Sequence, residues 1–211
     1  DDAEYGRSGT VAKWCAEGWQ VVYVLCTDGS KGSANPDMTG RSLAQIREQE
    51  QRNAGDVLGL KDVVFLDYED SMLEPSLELR RDITRQIRLY KPDVVICGTP
   101  MRRLSYNGYL GHPDHIAAGE AALSAVFPSA RDRLTFPELL DEGLEPHNVS
   151  EVWVMDHHEP DHFVDVTSHM DTAIKALKQH ETQVTSDDVG THMKQWRSRT
   201  GQKVGFRYAE G

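Results

Sequence analysis

Short apolar runs alternate along this chain with longer segments of helical period. The runs at 20–26, 63–66 and 93–97 are rich in β-branched and aromatic residues, as strands usually are. Between them, the segments 43–58 and 79–87 repeat apolar side chains at the spacing of one helix face. Regular alternation of strands and helices is typical of parallel sheets with helical crossovers. The pattern therefore predicts an α/β fold with a mostly parallel sheet.

Length and composition limit the domain organisation and the partners. The 211 residues contain no internal repeat and no change of composition, so we expect a single domain over residues 1–211. A net charge of −11 would repel phosphate backbones and anionic bilayers, which argues against nucleic acid and membranes as partners. The widely spaced Cys15, Cys26 and Cys97 indicate free thiols in a reducing compartment, and hence a cytoplasmic protein.

The two ends of the sequence suggest that the domain extends further. The chain opens on Asp1 and Asp2 with no strand ahead of them, and it closes abruptly on residues 208–211. We therefore expect truncation at both ends, with the first strand of the sheet missing at the amino-terminal end.

The segment Gly111-His112-Pro113-Asp114-His115 has a geometric meaning of its own. Proline is favoured at the first position of a helix, so we predict a helix that begins at Pro113 and has His112 as its cap. Residues three apart share a helix face, which brings the two imidazoles together at a helix N-terminus that favours negative charge. Such a pair suits a metal ligand beside an electrophilic group. The alternative is that both histidines simply cap the helix and meet solvent.

Asp1 and Asp2 stand before a helix that we predict over residues 9–17. Adjacent carboxylates can take different roles, one as a ligand of a cation and the other as a general base. The alternative is a pair of aspartates that cap the helix, which is a common arrangement.

The two segments, in this order and about a hundred residues apart, resemble the PIG-L / LmbE family of deacetylases. The family's motifs are His-Pro-Asp-Asp-Glu and Gly-His-Pro-Asp-His. The second is complete here, and the first is represented by Asp1-Asp2, with Ala3 before Glu4. The resemblance runs along most of the chain and includes Thr27-Asp28-Gly29, Arg47-x-x-Glu50 and Leu177-x-x-His180-x-Thr182-Gln183.

The resemblance implies a Rossmann-like three-layer fold and a zinc-dependent hydrolase that removes an acetyl group from an N-acetylglucosamine-type conjugate. It implies that Asp2 and His115 are zinc ligands and that Asp1 is the general base that activates a water. The third ligand of the family, a histidine two residues before Asp1, lies outside the sequence, so we expect weak metal binding and low activity from a chain that starts at Asp1.

The remaining expected site residues also follow from the resemblance. His112 would polarise the amide and stabilise the oxyanion, with Asp114 tuning its charge. Substrate contacts are expected from Arg47, Asp70 and Tyr109. A second group of histidines, His157, His158 and His162, lies in an acidic segment. We interpret this segment as a solvated loop rather than a second metal site.

Two other functions stay open at the level of the sequence. One is a catalytically inactive sugar-binding module of the same fold, and the other is a metal-dependent phosphoesterase, because the same helix N-terminus suits phosphate. A site of aspartate and histidine also accepts divalent ions other than zinc. The expected partner is a small N-acetylated sugar conjugate, and a homo-oligomer is compatible with the sequence.

Overall fold

The computed structural model describes residues 1–102, 110–155 and 159–211. The chain divides into two compact units, Asp1–Val64 with His158–Gly211, and Phe65–His157, and each is described by itself. The helices are α1 Asp2–Ala16, α2 Gly40–Leu58, α3 Leu77–Tyr90, α4 Pro113–Ser124, α5 Glu138–Asp141, α6 Met170–Leu177 and α7 Val189–Gln202. The strands are β1 Val22–Thr27, β2 Asp62–Tyr68, β3 Val94–Gly98, β4 Glu151–Met155, β5 Val164–Asp165 and β6 Ala209–Glu210.

The first unit is built on the packing of α6 against α1, α2 and α7. Small residues such as Ala54 and Ala176 are fully buried where α1, α2 and α6 meet, so these helices approach one another closely. A second apolar cluster joins α6 to α7 and comprises Val166, Met170, Ala173, Leu177, Val189 and Met193. The antiparallel pair of β5 and β6 lies in the same unit.

The carboxylate of Glu210 in β6 caps the main part of α1. The helix is interrupted at Arg7, which has non-helical backbone angles. Just beyond the break, the N–H groups of Gly9 and Thr10 donate to the two oxygens of Glu210 at 3.1 and 2.8 Å, and the Thr10 hydroxyl donates at 2.6 Å. The buried Arg197 guanidinium lies 3.3 Å from Glu210 Oε1 and balances its charge. Glu210 therefore does what a capping side chain does, from the far end of the chain.

We expect Glu210→Gln to lower the free energy of unfolding by roughly 2–3 kcal/mol, because it weakens several buried hydrogen bonds to a charged acceptor. Urea denaturation followed by circular dichroism measures the change. Glu48→Gln is the control, since Glu48 forms an exposed pair with Arg52 on α2 and its substitution should change stability little. Equal midpoints for Glu210→Gln and the parent chain would contradict the capping role.

The second unit contains a parallel pair of strands with a helix packed against it. β3 and β4 run parallel, in register from Val94 opposite Glu151 to Gly98 opposite Met155. α4 packs on β3, and a Cβ at Gly119 would lie only 2.4 Å from the Gly98 carbonyl oxygen. Only glycine at position 119 allows this approach, which brings α4 against the carboxyl end of β3.

Arg88 holds the irregular segment that follows α4. Its buried guanidinium donates to the carbonyl oxygens of Ser129, Asp132 and Thr135 at 2.8, 2.7 and 3.1 Å. Burial lowers the pKa of Arg88, against the opposing effect of nearby carboxylates. One side chain of α3 therefore satisfies three carbonyl groups of a segment without regular structure.

Most of the predicted elements are present, and the differences lie near the two ends of the chain. α2 ends at Gly59 in a left-handed conformation, with φ of 81°, and α4 begins at Pro113, both as predicted. The helix predicted over 9–17 begins earlier, so Asp2 belongs to the helix rather than to a loop before it. α7 and β6 were not predicted, because α7 is largely polar and β6 has two residues.

The cysteines are free, as predicted from their spacing. Cys97 is buried in β3, and burial raises the pKa of its thiol to about 11, which keeps it protonated and unreactive near neutral pH. Among the residues that the structure describes, we find no helix with the length and apolar character needed to cross a bilayer.

Candidate functional site

The N-terminus of α4 carries the two histidines of the Gly-His-Pro-Asp-His segment. His112 is the N-cap, and its Nδ1 accepts the N–H of Asp114 at 3.3 Å. Pro113 occupies the first turn, where its missing N–H has no cost. The rings of His112 and His115 have centroids 5.3 Å apart, which confirms the predicted proximity of the two imidazoles. His115 is exposed at the surface of the helix.

Asp114 is fixed by the backbone of the loop between β2 and α3. Its side chain is buried, at 5% exposure, and its two oxygens accept the N–H groups of Ser71 at 2.7 Å and Leu73 at 3.3 Å. Ser71 adopts a left-handed conformation, with φ of 66°, which is uncommon for serine. Asp114 Oδ1 also lies 3.9 Å from His112 Nδ1. Asp114 therefore anchors the loop after β2 beside the His112 ring.

This loop brings Asp70 into the same group. The ligand atoms of Asp70, His112 and Asp114 all lie within 4.8 Å of one another. Two carboxylates and an imidazole are donors that suit a borderline divalent cation such as Zn²⁺, so the residues around the start of α4 fit a metal of this kind. Sequence reasoning placed Asp70 on the substrate and missed its proximity to His112. The available signal was its position just after a strand, where α/β folds gather functional residues.

Asp1 and Asp2 open α1 in the first unit. Asp1 is the N-cap residue, but its side chain makes no capping hydrogen bond, and Asp2 lies in the first turn. The alternative reading of a capping pair is therefore not supported for Asp1. His112, Asp114 and His115 belong to the second unit. Joint ligation of one ion by Asp2 and His115 stays a prediction.

Glu4 was not predicted as a site residue, yet it is fully buried in the first turn of α1. Its Oε1 accepts from Gln51 Nε2 at 2.9 Å, and its Oε2 lies 2.9 Å from His180 Nε2. Burial alone would raise the pKa of Glu4, but the hydrogen bonds from His180 and Gln51 favour the charged form and lower the pKa. Glu4 is therefore held as a charged group inside the protein.

The segment around His180 is also hydrogen-bonded to α2 through Glu50. Glu50 accepts the backbone N–H and the hydroxyl of Thr182, both at 2.7 Å. The patterns Arg47-x-x-Glu50 and Leu177-x-x-His180-x-Thr182 thus meet in partly buried hydrogen bonds, which gives both of them a structural role.

Arg47 and Tyr109 were both expected to contact substrate. The structure places Arg47 Nη1 on the carbonyl oxygens of Gly29 and Lys31, at 2.6 and 2.7 Å, where it ties down the loop after β1. A contact from Arg47 to substrate stays a prediction. Tyr109, His157 and His158 lie outside the described residues.

Known proteins resemble this chain in sequence and in structure. A sequence model of the PIG-L family, described as GlcNAc-PI de-N-acetylase, matches residues 1–126. The diacetylchitobiose deacetylase of Thermococcus kodakarensis is 33% identical over 214 residues, which cover 100% of this chain and 78% of the relative.

Solved structures give the same result for the fold. The N,N'-diacetylchitobiose deacetylase of Pyrococcus horikoshii superposes with a TM-score of 0.89 at 32% identity, covering 100% of this chain and 78% of that one. The 4-carboxy-2-hydroxymuconate hydratase of Pseudomonas putida superposes with a TM-score of 0.81 at 21% identity, covering 100% and 90%, and at that identity it shows the α/β fold alone. With the family match over more than half of its residues and a full-length relative at 33% identity, the chain belongs to the PIG-L family.

Proposed function

We propose that this protein is a metal-dependent amide hydrolase that removes the acetyl group from an N-acetylglucosamine-type conjugate. The observation that supports it most is the start of α4, where His112 and Asp114 are fixed by backbone hydrogen bonds and form, with Asp70, a group of donors that suits a divalent cation. The Thermococcus and Pyrococcus relatives support the reaction type, since both are diacetylchitobiose deacetylases. In the same proposal, the α/β fold is the Rossmann-like three-layer arrangement of the family.

The protein's own residues take distinct roles in this proposal. Asp2 and His115 would hold the metal, which we take to be zinc, and Asp1 would accept a proton from the attacking water. A bound zinc ion would supply Lewis acidity, polarising the amide carbonyl and bringing the pKa of a water toward neutrality. Water attack adds oxygen to the carbonyl carbon, the C–N bond then breaks with the proton passing to the leaving amine, and acetate and a free amino sugar result.

His112 is the group that we assign to the developing negative charge. Its Nδ1 accepts the Asp114 N–H, so in the neutral ring the proton is on Nε2, which is free to donate to an oxyanion. Asp114 keeps the ring in this orientation through the loop that it anchors. The positive end of the α4 dipole lies at the same place and favours the same charge.

Product release distinguishes this function from the two alternatives. We expect the chain to release acetate from N,N'-diacetylchitobiose, to lose this activity in excess chelator and to regain it when zinc is added back. A phosphoesterase would instead release phosphate from p-nitrophenyl phosphate. An inactive module would bind the sugar, detected by calorimetry, without releasing acetate. Either of these two results, with no acetate formed at any zinc concentration, would overturn the proposal.

A further inference from the structure

Burying the carboxylate of Glu4 in the first turn of a helix costs free energy. A charged group with no exposed surface loses its hydration, and this is offset only when its oxygens are hydrogen-bonded. Both oxygens of Glu4 are used, one by Gln51 and one by His180. Because a carboxylate here only accepts, the His180 ring proton is on Nε2, which donates to Glu4 Oε2.

The two partners are themselves rigidly held. Gln51 is 4% exposed in α2, and His180 is 1% exposed in the turn that follows α6. Glu50, next to Gln51, accepts two hydrogen bonds from Thr182, so the His180 turn is joined to α2 independently of Glu4. Gln51 and His180 therefore form a pair of donors held by contacts that do not involve Glu4, and Glu4 binds to this pair.

This pair of donors fixes the part of the chain that carries Asp2, the proposed metal ligand. Glu4 is two residues after Asp2, and the first turn is closed by the hydrogen bond from the Tyr5 N–H to the Asp1 carbonyl at 2.9 Å. On the other side of this turn, the Arg197 guanidinium donates to the carbonyl oxygens of Tyr5 and Gly6. The α1 helix breaks at Arg7, so its own hydrogen bonds do not connect the first turn rigidly to the rest of the helix.

We infer that Glu4, held by Gln51 and His180, is a positioning residue that sets the backbone carrying Asp1 and Asp2 for metal binding. This inference rests on the proposed function. Apolar side chains at positions 4 and 180 would pack the same space without buried charge. Residues behind a metal ligand often determine its orientation, and their loss weakens metal affinity more than it weakens the fold.

Zinc titration of the purified chain, by competition with a chromophoric chelator, tests the inference. Glu4→Gln and His180→Phe should each weaken zinc binding on the order of 10- to 100-fold. His180→Gln should recover part of the loss, because its amide can still donate to Glu4. Thr182→Val is the matched control, since it removes one partly buried hydrogen bond two residues away, keeps the bond from the backbone N–H of residue 182 to Glu50, and leaves Glu4 with both of its partners. It should lower Tm while leaving the zinc affinity within about twofold of the parent.

The outcomes separate the inference from the proposed function. If Glu4→Gln and His180→Phe lower Tm as Thr182→Val does but bind zinc as the parent does, the positioning role is wrong and the deacetylase proposal stands. If neither the parent chain nor one extended upstream of Asp1 binds zinc or releases acetate, both fail. If Glu4→Gln folds poorly, the comparison of His180→Phe with His180→Gln decides the result alone. Equal zinc affinity in these two variants overturns the inference.

Discussion

Replacing His112 by alanine should lower kcat for acetate release by about 10²- to 10³-fold, the usual effect of removing one oxyanion donor. The reason is the geometry at the start of α4. The Asp114 N–H occupies Nδ1 of the ring, so Nε2 carries the proton that an oxyanion would accept. KM should change much less, because this hydrogen bond strengthens only as charge develops on the oxygen. Steady-state kinetics with N,N'-diacetylchitobiose measures both constants.

Metal content distinguishes the two roles that His112 can take. As an oxyanion donor, His112→Ala should retain zinc, whereas His115→Ala should lose it. Asp70, His112 and Asp114 are close enough to share an ion, so a metal role for His112 is a real competitor. Loss of zinc from His112→Ala, measured by elemental analysis at equal protein concentration, would show that His112 is a ligand instead.

Asp114→Asn should lower the free energy of unfolding by roughly 2–3 kcal/mol, because an amide can accept from only one of two buried N–H groups and leaves the other unpaired. Asp114 accepts from Ser71 and from Leu73, and the asparagine NH₂ would face one of these donors. The same change releases the loop that holds Asp70 near His112, so kcat should also fall. Urea denaturation and acetate kinetics on the same preparation give both numbers.

A control and a double variant make this prediction specific. Glu120 is an exposed residue of the same helix that accepts a hydrogen bond from Ser124, and Glu120→Gln should change neither stability nor kcat. In the double variant, the fold loss of kcat should be smaller than the product of the losses in His112→Ala and Asp114→Asn, because Asp114 acts through the His112 ring. Full additivity, or an Asp114→Asn chain as stable as the parent, would contradict the anchoring role.

The sequence predicted those parts of the fold that local chemistry decides. Pro113 sets the start of α4, and Gly59 accepts the left-handed conformation that ends α2, so both boundaries are readable from neighbouring residues. The extent of α1 was predicted wrongly, because the helix is interrupted at Arg7 and the cap beyond the break comes from Glu210. No window of sequence around residue 9 contains that information.

In the candidate site, too, local spacing was predictable from the sequence and long-range contacts were not. The proximity of His112 and His115 follows from a spacing of three on a helix and is confirmed. The place of Asp70 depends on two hydrogen bonds from its loop to Asp114, more than forty residues away along the chain. The Glu4–His180 contact spans 176 residues, and only the resemblance to the family marked either segment. Long-range pairs of this kind have no periodicity from which they could be inferred.

The contact between Glu210 and α1 also has a consequence for biosynthesis. The two groups are about 200 positions apart in the sequence, so during translation α1 lacks its capping partner until the β6 segment has been made. A nascent or proteolysed chain that ends before Glu210 would leave the amides of Gly9 and Thr10 unsatisfied beside the apolar Val166 side chain. Translation of the β6 segment thus changes the stability of α1, and chains that lack this segment should be selectively recognised by chaperones and proteases.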